Sequence, residues 1–106
     1  MFSFFYEQPT LVNLHLKNGK RPEFDVYIGR AVEGTEFTED SIYANHYKNL
    51  IDYRLHILNT PSLMNNLEDL SGQKLGCWCI TTSLCKPFIC HGQILIMLWI
   101  EIYGKC

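Results

Sequence analysis

The chain has 106 residues, 47% of them hydrophobic and 19% charged, with a formal net charge of -2. That length holds one domain over residues 1–106 with a single core, and that composition excludes a disordered chain. The weakly acidic balance argues against a nucleic-acid backbone as partner, because such binders carry a basic stripe.

The amino end, from Met1 to Pro9, has aromatics but no basic n-region and no sustained apolar stretch, so no secretory signal is expected. Phe4 to Leu16 alternates between apolar and polar residues, which predicts an extended segment with Val12, Leu14 and Leu16 on one face. Asn18-Gly19 signals a turn and Pro22 a break, and the basic residues Lys17, Lys20 and Arg21 read as a solvated hairpin. Asp25 to Ile28 is a short strand ended by Gly29-Arg30. Ala31 to Asp40 is acidic and aperiodic, a loop whose length in a small domain suggests a functional role.

Tyr47, Leu50, Ile51, Leu55 and Leu58 have helical spacing, and Thr60-Pro61 closes that helix. Ser62 caps a second short helix through Met64 and Leu67 to Leu70, ended by Ser71-Gly72. Lys74 to Ile80 is the next strand, and the last helix runs from about Cys90 to Tyr103. Its apolar run, Ile94 to Ile100, is far short of the roughly 20 residues that span a bilayer, so no membrane partner is expected. This order of elements predicts a compact α/β fold, a Rossmann-like three-layer sandwich with a small, mostly parallel sheet.

The window from Leu75 to Gly92 is the richest in chemistry. It reads L-G-C-W-C, then a polar stretch, then K-P-F-I-C-H-G. Strand alternation puts Leu75, Cys77 and Cys79 on one face, and Cys77 reads as core. Cys79 stands near the carboxyl end of the strand, where α/β sheets form their ligand crevices. His91 falls at the first turn of the last helix, where free N–H groups favour an anion and a neutral imidazole can move a proton. The same helix end would activate Cys90 as a nucleophile. Five cysteines is an odd number, which fits a reduced, cytoplasmic protein better than a disulfide framework. A zinc set of Cys77, Cys79, Cys90 and His91 is the alternative, although C-x-C on a strand lacks the usual knuckle spacing.

Three motifs, V-Y-I-G-R at Val26 to Arg30, S-I-Y-A-N-H-Y at Ser41 to Tyr47, and L-G-C-W-C with K-P-F-I-C-H-G, carry a family likeness. Together they resemble domain-of-unknown-function family 4326, whose small members occur in bacteria, phages and other viruses. The resemblance implies a Rossmann-like fold with a pocket built by these motifs but hands over no activity; the motif residues themselves suggest a pocket suited to a small polar or phosphorylated molecule. Three departures stand out. An extra stretch, about Ile80 to Cys85, leaves Cys79 or Cys85 to fill the family's second cysteine position. His46 stands where the family has proline, and Gln93 where it commonly has aspartate. If that aspartate is an acid or base in relatives, Gln93 leaves a binder without turnover.

The expected function is therefore binding of a nucleotide-like or other phosphorylated small molecule, to process or sequester it, with no cofactor and no metal. Ligand-binding candidates are Gly29, Arg30, Ser41, Tyr43, Asn45, Trp78, Cys79 and Gly92. Arg30 offers a planar cationic fork, Ser41 and Asn45 hydrogen bonds from an extended segment, and Tyr43 or Trp78 a stacking face. The ordinary reading of Arg30 is an ion pair with the acidic loop. His91 is the expected proton-transfer residue and Cys90 the lesser candidate nucleophile. The alternative is a zinc-stabilised interaction module, and a third reading is a homodimer that buries part of Ile94 to Ile100.

Overall fold

A computed structural model describes residues 6–78 and 89–104. Among these residues, three strands form a parallel sheet: β1 (Thr10–Asn13), β2 (Val26–Tyr27) and β3 (Lys74–Cys77), in the order β1-β3-β2. Leu11 pairs with Leu75 on one side of β3, and Val26 pairs with Leu75 on the other. The backbone N–H groups of Asp25 and Ile28 also donate to β3 carbonyls, so the paired stretch matches the predicted strand. The described helices are α1 (Leu50–Leu58), α2 (Pro61–Asn66), a short 3₁₀ turn (Leu67–Leu70) and α3 (His91–Tyr103). The fold is α/β with a small parallel sheet, as the sequence predicts.

α3 packs against β1, α1 and the 3₁₀ turn. Ile94, Leu95, Ile96, Leu98 and Trp99 are all buried, because a helix with apolar residues around its circumference needs neighbours on several sides. They are buried within the chain itself. Gly92 permits the close approach of α3 to the sheet: a Cβ there would lie 2.5 Å from Leu11 Cδ2 and 3.0 Å from Ile28 Cδ1.

Two faces differ from expectation. The buried residues of α1 are Tyr53 and Ile57, with Leu50 half-buried, whereas Tyr47, Ile51, Leu55 and Leu58 are exposed. In β1 it is Leu11 that joins the main core, while Leu16 is exposed. Leu14 is fully buried, but on the opposite face of the sheet, where its methyls would meet a Cβ at Gly76 at 2.9 and 3.0 Å.

That opposite face is covered by an aromatic cluster. Phe37 stacks on Tyr27 at 4.1 Å, lies tilted against Phe24 and meets Trp78 edge-on, so the loop after β2 folds back onto the sheet. Arg21 is not a free basic residue. Its guanidinium lies over Phe37 and Trp78, pairs with Glu36 at 3.0 Å and donates to the Leu14 carbonyl. The Asn18-Gly19 turn forms as predicted, both residues at positive φ between bridged Lys17 and Lys20.

Candidate functional site

The carboxyl ends of β2 and β3 open into a cavity of about 590 Å³, into which the first residue of α3 also faces. It is lined by Gly29, Arg30 and Asp40 from the loop after β2, by Asn45, by Trp78 after β3, and by Ile89 and His91 at the helix start. Crevices at the carboxyl edge of a parallel sheet are where α/β proteins hold ligands, because chain reversals there leave loops free to vary.

β2 sets the position of Arg30 through Tyr27. The Tyr27 hydroxyl donates to the Arg30 carbonyl and accepts from Trp78 Nε1–H at 2.8 Å. One phenol thereby ties the two loops that line the cavity. Gly29 makes room for it, since a Cβ there would lie 2.6 Å from the Tyr27 oxygen. Among the described residues the Arg30 guanidinium has no ion-pair partner, and the side chain is exposed to the cavity. The expected pairing with the acidic loop is therefore not what holds it.

His91 is fixed from the other side. Its Nε2 lies 2.6 Å from the Ile28 carbonyl, and Tyr53 packs edge-on against the ring. A carbonyl can only accept, so the ring proton sits on Nε2 and Nδ1 carries a lone pair. Burial lowers the pKa of the ring, with the Ile28 hydrogen bond opposing and the nearby Arg30 charge assisting. His91 is thus an oriented neutral imidazole at neutral pH.

A consequence for stability follows from linkage. With the folded pKa below its ordinary value of 6.5, the unfolded chain takes up a proton first as pH falls. Stability is full above pH ~6.5 and declines as pH drops toward the folded value. His91→Gln is expected to flatten the fall in Tm between pH ~7.5 and ~5.5 in thermal melts. An unchanged slope would show that His91 does not contribute to it.

Several candidates serve the framework around the cavity. Ser41 donates its N–H to the Gly29 carbonyl at 2.9 Å, and its hydroxyl accepts from Tyr43 N–H at 3.1 Å. Asn45 Oδ1 accepts from Tyr47 N–H at 2.9 Å. These are side-chain turns, so the segment is bent where the sequence suggested extension. Asn45 still lines the cavity, with its amide N–H₂ as the remaining polar end. Tyr43 is buried and donates to the Leu63 carbonyl at 3.0 Å; burial raises its pKa to about 12. It anchors the loop to α2, and Trp78 is the aromatic residue that lines the cavity.

Cys90 and Gly92 lie on the core side of the same helix start. Cys90 is the N-cap, its buried sulfur accepting from Gly92 N–H and lying 3.4 Å from that of Cys77; that sulfur is disulfide-bonded, which removes the thiolate a nucleophile needs. Gln93 completes a capping box: its Oε1 accepts from the N–H groups of Ile89 at 2.7 Å and Cys90 at 2.9 Å. The residue that replaces the family's aspartate therefore holds the turn that delivers His91. Cys79 and Cys85 lie outside the described residues. Among the described residues, no group of three or more His, Cys, Asp or Glu is placed to hold a metal.

Sequence reading missed Asp40. Its Oδ1 accepts from Ala31 N–H at 2.6 Å and its Oδ2 pairs with His46 at 3.1 Å, closing the loop after β2 on itself. Only the final residue of an aperiodic acidic stretch hinted at it.

The fold and this site define a small α/β protein with a polar crevice at its strand ends. The sequence profile of the domain of unknown function DUF4326 matches residues 12–100, and the chain belongs to that family. No curated protein and no solved structure matches it. No helix among the described residues is long and apolar enough to cross a membrane.

Proposed function

We propose that the chain binds a small phosphorylated, nucleotide-like molecule in the cavity between Arg30 and His91. The observation that carries this reading is the Arg30 guanidinium, which has no ion-pair partner among the described residues and is held by its backbone at the rim of a cavity large enough for such a ligand. Asn45 adds amide donors, Trp78 an aromatic surface, and the neutral His91 an acceptor at Nδ1. Where the ligand is processed, His91 is the proton-transfer group, oriented by the Ile28 carbonyl as a triad histidine is oriented by its carboxylate. Cys90 acts as a cap in this reading. We read the architecture as a reduced Rossmann-like sandwich, with helices on one face and the Phe37 loop as its other cover, in a cytoplasmic protein.

The test is a thermal-shift screen over nucleotides and sugar phosphates. Stabilisation that disappears in Arg30→Ala and His91→Ala supports the reading, and no shift across a broad panel overturns it. The zinc-stabilised module is the competing reading. With His91 Nε2 committed to the Ile28 carbonyl, Nδ1 is the ring atom left to ligate a metal. Stoichiometric zinc in the purified protein would favour that reading.

A further inference from the structure

From the arrangement of charge in the cavity we infer that the ligand presents vicinal hydroxyls beside its phosphate, as a ribose phosphate does, and that Asp40 is the residue that receives them. This inference rests on the proposed function and names the class of ligand within it.

Arg30 and Asp40 line the same cavity, yet no ion pair joins them. Arg30 does not neutralise Asp40, whose carboxylate pairs instead with the exposed His46, so the guanidinium and the half-exposed carboxylate both face a ligand. Asp40 is held still by the Ala31 N–H on Oδ1 and by His46 on Oδ2. Each carboxylate oxygen accepts two hydrogen bonds, so among the described residues one position on each remains. A fixed carboxylate with one open position on each oxygen matches two neighbouring hydroxyl donors. The same carboxylate disfavours a second anion close by, which directs the phosphate to Arg30 and the Asn45 amide. His91 Nδ1 is a further acceptor on the helix side. A simple anion satisfies Arg30 and leaves the remaining positions on Asp40 and His91 Nδ1 to water. A ligand that is anionic at one end and hydroxylated beside it satisfies both. Nucleotides and sugar phosphates share this chemistry, and Trp78 tells them apart, because only a base gives it a planar aromatic ring to stack on.

The experiment is calorimetric titration of adenosine 5′-monophosphate, its 2′,3′-dideoxy analogue, ribose 5-phosphate and inorganic phosphate. Each is run on the wild-type chain and on Asp40→Asn, which keeps an oxygen for Ala31 N–H. The monophosphate is expected to bind at least tenfold more tightly than the dideoxy analogue. Asp40→Asn should remove that difference, with affinity for the analogue rising rather than falling, because the substitution takes a negative charge away from beside the phosphate. Ribose 5-phosphate binding as tightly as the nucleotide assigns the site to sugar phosphates, and weaker binding assigns it to nucleotides; both keep the hydroxyl recognition. Equal affinity for the two nucleotides overturns the inference and leaves the phosphate reading standing. So does an equal loss of both in Asp40→Asn. No binding by any of the four overturns both.

Discussion

Replacing Gln93 with alanine is expected to lower the unfolding free energy by about 1–3 kcal/mol, the cost of one buried donor, Cys90 N–H, losing its acceptor, while the part-buried Ile89 N–H is left partly to water. Gln93 is fully buried, and its Oε1 holds the Ile89 and Cys90 N–H groups just before α3. Neither group has an intrahelical partner, because both precede the first hydrogen-bonded turn. Truncation also leaves a void in the core, and the loop carrying Ile89 loses its tie to the helix. The cavity should suffer with it, since Ile89 and His91 both line it. Urea denaturation measures the stability change, and a loss under about 0.5 kcal/mol, typical of a surface substitution, would contradict the capping role. The result also bears on chemistry. Gln93 has a structural duty of its own here, holding the turn through Oε1. Glutamine here is then compatible with a working site.

Arg30→Ala is expected to weaken binding of a phosphorylated ligand at least tenfold, about 1.4 kcal/mol, with little change in stability. The figure is the low end for a charged hydrogen bond, because the side chain is exposed and water competes. The small stability effect follows from the absence of an ion-pair partner among the described residues and from the way Arg30 is positioned. The Tyr27 hydroxyl bonds the Arg30 carbonyl, which alanine retains. Arg30→Lys should recover only part of the affinity, since an ammonium lacks the planar fork. Loss of affinity together with a large drop in Tm would instead mark Arg30 as structural.

The locally encoded parts of the fold were legible. Asp25 to Ile28, the Asn18-Gly19 turn and the α3 span each depend on a short run of residues whose own preferences agree with the fold. The inward face of α1 was not legible, because that helix carries two apolar stripes. Ile51, Leu55 and Leu58 have helical spacing as good as that of Leu50, Tyr53 and Ile57, and α3 and the loop before α1 decide between them. Tyr53 wins because its hydroxyl reaches the Tyr43 carbonyl at 2.7 Å while its ring packs on His91. Leu11 was masked in the same way by the alternation of Val12, Leu14 and Leu16.

The candidate site divides along similar lines. Gly29, Arg30, Asn45, Trp78 and His91 were nominated from motifs, and the structure brings all five to one cavity. Ser41 and Tyr43 sit in the same motif but serve the turn and its anchor. Asn and Ser side chains bond backbone in turns as readily as they bond ligands, and a single sequence does not distinguish the uses. Asp40 was invisible for a different reason. Its place in the cavity depends on Phe37 returning to the sheet beside Tyr27, which is a tertiary event.

The most direct measurement is a ¹H–¹⁵N spectrum of the chain titrated with adenosine 5′-monophosphate. Shifts at the backbone amides of Gly29, Arg30 and His91, the Asn45 side-chain amide and the Trp78 indole N–H, with the exposed face of α1 unmoved, are the predicted result. No shift at millimolar ligand, or shifts confined to residues away from the carboxyl ends of β2 and β3, would contradict the account.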